Sequence, residues 1–323
     1  MLITYIFSFF ALTVVLIKAA DLVLESLRSL SRTTGTKAFV LSALILSVAT
    51  SLPELFVGIT SAIEGSSNLS FGNILGANVA NISLVAGLSA VFAGSINIQG
   101  GILLHEVALA GFAGALPLIL AIDGSLGRVD GLILLVVYFA YATSFFKTRF
   151  LEIGKHHLSG KSVLRLIKHV SEVEQKAEKS LGHLFIGVVA LLFSADLIVK
   201  IAKNIASQAG IPIFVIGLIL LSVGTTLPEL IVSFRTIKGG APSMFFGNLL
   251  GSLIVNSTLI LGLVSVIDPI EISGIPAVAL PASIFVVLFI LFWLFVRTKL
   301  RLERWEAGVL LFLYLVFVVA TLV

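Results

Sequence analysis

Apolar residues along this chain come in long unbroken runs rather than in the spaced stripes of a soluble helix. Ten segments, near residues 3 to 27, 37 to 63, 70 to 94, 100 to 122, 128 to 146, 181 to 205, 212 to 237, 244 to 267, 274 to 296 and 304 to 323, are apolar over nearly their whole length. A helix that is apolar on every face belongs in lipid or among other helices, and about 20 such residues cross the roughly 30 Å hydrocarbon layer. The pattern predicts ten transmembrane helices. The polar exceptions inside these runs are few, and they recur. SVATSLPELFVG begins at Ser47 and SVGTTLPELIVS at Ser222, each placing a proline and a glutamate inside a span, 175 residues apart.

Sliding the chain by 175 residues aligns Asp21 with Asp196, Thr50 with Thr225, Pro53 with Pro228, Glu54 with Glu229, Gly72 with Gly247, Asn73 with Asn248, Gly76 with Gly251 and Asn81 with Asn256, with no gap. A repeat of polar residues, glycines and prolines is more than shared hydrophobicity. Residues 1–146 form a first five-helix repeat, 147–180 a charged loop, and 181–323 a second five-helix repeat. Five is odd, so the second half enters the bilayer upside down. The expected fold is an all-α integral membrane protein of ten transmembrane helices in two inverted-topology repeats. Inverted repeats with interrupted helices in corresponding places are the pattern of secondary transporters, whose site lies near the bilayer midplane.

Composition agrees: 58% of residues are hydrophobic, 12% are charged and mean hydropathy is +1.15, which excludes a soluble domain. The net charge of +4 does not mark a nucleic-acid binder, because the basic residues sit in loops flanking the spans. About 17 lysines and arginines fall on one side against about 3 on the other. That side is expected to be cytoplasmic, with residues 147–180 inside and both termini extracellular. The first run continues to about Leu27 without a small-residue cleavage site and reads as helix 1. Cysteine is absent, so no disulfide framework or thiolate metal site is available.

The repeated motif carries the chemistry. Proline has no N–H and crowds the carbonyl four residues earlier, so Pro53 strains the helix at Ala49 and Pro228 strains it at Gly224. Carbonyls released in hydrocarbon need a cation or cavity water. Thr50, Ser51, Thr225 and Thr226 add hydroxyls beside them, and Glu54 and Glu229 add carboxylates four residues after Thr50 and Thr225, on the same helical face. A plain kink with glutamates at a wet interface is the bland alternative. It leaves two charges near the bilayer centre unexplained, each costing at least about 2.5 to 3.5 kcal/mol. Helices 3 and 8 face this motif with Gly72, Gly76, Gly247 and Gly251, which fit close packing. Asn81 and Asn256 are candidates to line the site; for Asn73 and Asn248, lining and interhelical bonding stay open. All these donors are oxygens, which suits a hard cation such as calcium. Two carboxylates balance one divalent ion, and emptied of it they need protons or monovalent cations instead.

ATSLPEL with GNILGANVAN, and GTTLPEL with GNLLGSLIVN, resemble the two alpha-repeats of the calcium/cation antiporter superfamily, membrane exchangers that move calcium against sodium or protons. The resemblance covers essentially the whole chain. It implies a site formed by helices 2, 3, 7 and 8, with helices 1 and 6 sliding to alternate access. It implies that Glu54, Glu229, Thr50 and Thr225 hold calcium, and that Ser51, Thr226, Ser252 and the carbonyls of Ser47 and Ser222 help to hold the monovalent ions. Sodium-coupled relatives often carry an aspartate at the place of Asn256 and a serine at that of Ala77. The missing oxygens favour H+ slightly over Na+, whereas the SLPE and TLPE motifs look like the sodium branch. No cofactor and no obligatory protein partner are expected beyond Ca2+, H+ or Na+ and the lipid bilayer of the cell membrane.

Other features are read as structural. Asp21 and Asp196 repeat near the ends of helices 1 and 6; His105 and Glu106 fall at a helix start; Leu164, Ile167 and Val170 give the loop a short amphipathic pattern. An intramembrane enzyme would need a nucleophile with its base or a metal-binding motif such as HExxH, and the spans hold none. A cation channel could use similar oxygens, but it has no need of a repeated acid behind two closures.

Overall fold

The computed structural model describes residues 2–33, 47–97, 102–153, 170–272 and 275–322. Ten helices are labelled in chain order: α1 (Leu2–Thr33), α2 (Leu52–Ile63), α3 (Ser67–Ala93), α4 (Ile102–Leu120), α5 (Arg128–Ile153), α6 (Val170–Ala209), α7 (Ile213–Lys238), α8 (Pro242–Ile267), α9 (Ile275–Lys299) and α10 (Arg304–Leu322). Among the described residues eight of them, all but α2 and α5, include a stretch long and apolar enough to cross a membrane. The α2 helix has 12 residues because the helical chain is interrupted at Ser51, just before it; residues 37–46 of the expected second span lie outside the described residues. Large apolar side chains such as Phe7, Phe185, Phe312 and Val319 point outward, as a lipid-facing surface requires.

The packing separates into two apolar clusters. One joins α1 and α6 through Phe9, Leu16, Val23, Leu191, Ile198 and Val199 and touches α2 and α7. The larger one fills the space among α3, α4, α8, α9 and α10 with Phe71, Ile82, Phe246, Leu253, Phe285, Phe292 and Leu310. The helices flanking the charged loop are longer than expected: α5 runs on to Ile153 and α6 starts at Val170, and residues 154–169 lie outside the described residues. Leu164 and Ile167 of the amphipathic pattern lie outside the described residues.

Two short ribbons depart from an all-helical expectation. Strand β1 (Ser95–Asn97) pairs antiparallel with β4 (Arg301–Glu303), Ile96 opposite Leu302, and β2 (Ser125–Leu126) with β3 (Ile270–Glu271), Leu126 opposite Ile270. The shift of 175 residues carries β1 onto β3 and the β2 region onto β4, so each ribbon is the repeat image of the other. Ile96, Leu126, Ile270 and Leu302 are buried, which pegs both ribbons to the apolar core. At the β1–β4 ribbon Lys299, Trp305 and Arg301 surround the Glu303 carboxyl; the hydrogen bond from Lys299 is the main cause holding it down to about 2.

Candidate cation site

The proline motif interrupts each helix by a single residue. Residues 47–50 are helical, Ser51 breaks the helix with φ −84° and ψ 9°, and α2 restarts with Pro53 in its first turn. In α7 the break falls at Thr226, with φ −82° and ψ −1°, and Pro228 follows in the same place. Proline suits a first turn, where its missing N–H has no helical partner. The break is therefore narrower than an unwound segment. Its effect is to put Glu54 and Glu229 in the first turn of a restarted helix, where the helix dipole favours negative charge.

Every residue expected in the site is buried, none more than 2% exposed: Ser47, Thr50, Ser51, Glu54, Asn81, Ser222, Thr225, Thr226, Glu229, Ser252 and Asn256. The two halves interlock there. Thr225 of the second half stands beside Glu54, while Thr50 of the first half and Ser252 stand beside Glu229, and the two glutamates neighbour one another. The contacts fall short of hydrogen bonds, so among the described residues all four carboxylate oxygens are buried without a donor. So are Oδ1 of Asn81, Oδ1 of Asn256 and the Ser51 hydroxyl. An unpaired buried polar atom costs about 1 to 3 kcal/mol, more if charged. Unpaired carboxylate oxygens of this kind are what a desolvated cation relieves.

Other members of the set are already engaged. The Ser222 carbonyl accepts from the Thr226 amide at 3.0 Å and the Thr226 hydroxyl at 2.8 Å, and the Ser222 hydroxyl turns back to Leu218 O at 2.6 Å. The Ser47 carbonyl accepts from the Ser51 amide at 3.1 Å and Thr50 Oγ1 at 3.2 Å. An ion at either carbonyl would share it with these donors. Thr50 Oγ1 also lies 3.2 Å from Ser252 Oγ, a contact with no image on the other side, since Ser252 repeats as Ala77.

Helix α3 reaches this region by close approach. A Cβ on Gly76 would strike the Leu218 carbonyl oxygen and come within 2.7 Å of Ser222 Oγ; one on Gly251 would meet the Ser47 side chain at 2.7 Å. Both asparagine candidates lie at wide turns of the helix: Asn81 opens a π-helical segment running to Val85, and Asn256 is second in one running from Val255 to Ile260. Such turns rotate the side chains that follow and recur at functional sites. Asn78 has no polar counterpart in the second half, its repeat position being Leu253. It donates to Ser257 Oγ at 2.7 Å and accepts from Asn256 Nδ2 at 3.4 Å, which leaves the Asn256 oxygen as its free end.

The two ends of the site differ. On the side of the β1–β4 ribbon a cavity of about 340 Å³ is lined by Asp21, Arg235, Gly239 and Met244 and reaches down to Thr50 and Pro228. At the end of the β2–β3 ribbon Lys203 of α6 binds the end of α2, donating to the Glu64 carbonyl at 2.8 Å and meeting its carboxylate at 3.3 Å. Asp196 is engaged with Lys200 at 2.9 Å.

Known proteins match over nearly the whole length. The family model for the sodium/calcium exchanger protein covers residues 4–147 and 179–323. The chain is 25% identical over 337 residues to the sodium/calcium exchanger MaX1 of Methanosarcina acetivorans, covering 95% of both chains. It is 30% identical over 281 residues to the membrane protein MJ0091 of Methanocaldococcus jannaschii, covering 86% of this chain and 85% of that one. Among solved structures, the sodium-calcium exchanger NCX_Mj soaked with Na+ and Sr2+ aligns with a TM-score of 0.64 and 26% identity over 99% of both chains. With two matched regions that leave out little besides the charged loop, the chain belongs to the sodium/calcium exchanger protein family.

Proposed function

We propose that this protein is a secondary active antiporter that exchanges Ca2+ for Na+ by alternating access, with Glu54 and Glu229 holding the divalent ion between the two halves. The observation that carries the reading is the buried carboxylate pair, without a donor among the described residues and flanked by hydroxyls from both repeats. Two unpaired charges in low dielectric cost several kcal/mol each, so the cage returns across the membrane only with calcium or with replacement cations. Exchange rather than leak follows from that requirement. Relatives named as sodium/calcium exchangers support the choice of Na+.

A second reading keeps the site and changes the coupling ion to H+. Ala77 and Asn256 favour it, because the cage has one hydroxyl and one carboxylate fewer than sodium coordination would use, whereas protons need only the glutamates. The excess of basic residues assigns the β1–β4 face, the one with the open cavity, to the cytoplasm. Residues 1–146 and 181–323 then act as the two inverted units, and the termini lie outside.

Reconstituted vesicles loaded with calcium decide the coupling ion. Calcium movement driven by an opposing sodium gradient and indifferent to a pH gradient is the expected result; the reverse establishes H+, and passive calcium flow without either gradient refutes exchange. Glu54→Gln and Glu229→Gln are each expected to abolish exchange while the purified protein still elutes as a single folded species. Transport at the wild-type rate by either variant would overturn the site.

A further inference from the structure

Asn73 and Asn248 play no part in the proposed cage, yet both are fully buried in the membrane beside it. Each has one partner at hydrogen-bond distance, a threonine of the opposite repeat. Thr50 Oγ1 lies 3.1 Å from Asn248 Oδ1 and 3.2 Å from the Ser47 carbonyl, and Thr225 Oγ1 lies 3.2 Å from Asn73 Oδ1 and 3.4 Å from the Ser222 carbonyl, so in each case the amide oxygen is the nearer of the two acceptors for the single hydroxyl proton. The two contacts are images under the 175-residue shift. They join α8 to the turn before α2, and α3 to α7.

The chemistry of a hydroxyl ligand gives these contacts a purpose. A threonine beside a carboxylate would ordinarily donate its proton to that carboxylate, and would then present hydrogen where a cation needs a lone pair. Thr225 stands beside Glu54 and Thr50 beside Glu229, so each is exposed to this competition. An acceptor on the far side removes it. The amide oxygen takes the hydroxyl proton, and the lone pairs of Oγ1 turn toward the glutamates as acceptors. Outer partners that orient metal ligands in this way are commonly worth about 10- to 100-fold in affinity.

We propose that Asn73 and Asn248 are positioning residues for calcium binding: each accepts the hydroxyl proton of the threonine in the opposite repeat and thereby makes it a cation ligand. The proposal rests on the reading of Thr50 and Thr225 as calcium ligands. Because each amide belongs to one half and each hydroxyl to the other, the cage is assembled only when the halves are in register.

A double-mutant cycle in reconstituted vesicles tests it, with labelled calcium as the probe. Asn248→Leu, close in shape but without an acceptor, is expected to raise the calcium KM about tenfold with little change in maximal rate. Thr50→Val is expected to raise KM by at least as much. In the Thr50→Val background, Asn248→Leu is expected to have no further effect, since the hydroxyl it orients is gone. Asn73→Leu with Thr225→Val forms the mirror cycle. Additive effects, or an unchanged KM in Asn248→Leu when Thr50→Val raises it, overturn the positioning role and leave the cage standing. An unchanged KM in Thr50→Val overturns both. Where Asn248→Leu does not fold, Asn248→Ser replaces it, and the calcium-induced rise in melting temperature of the purified protein reads affinity without transport.

Discussion

Glu54 and Glu229 are defined less by what they touch than by what is withheld from them, since none of their four oxygens receives a hydrogen bond among the described residues. Their surroundings are not equal. Ser252 is near Glu229, and its repeat position is Ala77, which is fully buried. Ala77→Ser supplies the missing hydroxyl. It is expected to lower the sodium concentration giving half-maximal exchange by about threefold to tenfold, the range of one modest hydrogen-bond-scale interaction of about 1 kcal/mol. Sodium titration of calcium release measures it, and a shift in the opposite direction argues against a monovalent site at this corner. At this scale the sequence was highly legible: proline, glutamate and threonine declare themselves by being out of place in an apolar run, twice. Asn78 was not, because Leu253 stands at its repeat position and only the folded chain brings it to Asn256 and Ser257.

Among the elements, the interrupted helices were foreseen and the wide turns were not. Proline announces a break chemically, whereas the π-helical segments at Asn81–Val85, Ile216–Leu221 and Val255–Ile260 arise from packing among helices that local composition does not encode. The glycines of α3 were expected to be packing residues, and Gly76 is one: its missing side chain lets the helix rest on the backbone at Leu218. Gly76→Ala is expected to destabilise the protein by about 1 to 3 kcal/mol, the usual range for overpacking against atoms that cannot yield. The same change displaces Ser222 and the motif after it, so transport is expected to fall as well. Thermal denaturation in detergent checks the first effect and vesicle uptake the second; a variant with unchanged melting temperature contradicts the close contact.

Across the whole molecule, the inverted repeat read from spacing alone reappears in a feature that spacing did not reveal. The ribbons bind a loop of one half to a loop of the other at both faces, and their alternation is too short to be seen among loop residues. They leave α1 and α6 as a separate pair with its own apolar cluster. If the pinned helices form a fixed frame, a disulfide between cysteines placed at Ile96 and Leu302, which are ladder partners, is expected to leave exchange at or near the wild-type rate. The chain has no native cysteine to confuse the result. Loss of transport on oxidation, restored by reductant, would show that the frame itself must open.

The tie between Lys203 and Glu64 makes the balance of this machine uneven. Under the repeat, Glu64 falls on Gly239, so the carboxylate of this tie has no counterpart in the second half. Among the described residues, the ion pair between α2 and α6 is therefore not reproduced at Gly239. A half-exposed ion pair is worth at most about 1 kcal/mol and is weakened by salt. In the proposed alternating-access cycle, this tie is expected to favour the state open at the vestibule by a small, adjustable margin. Glu64→Gln removes the charge from the tie while leaving the backbone contact of Lys203, and a cysteine at Thr236 in that vestibule is then expected to react more slowly with a water-soluble thiol reagent.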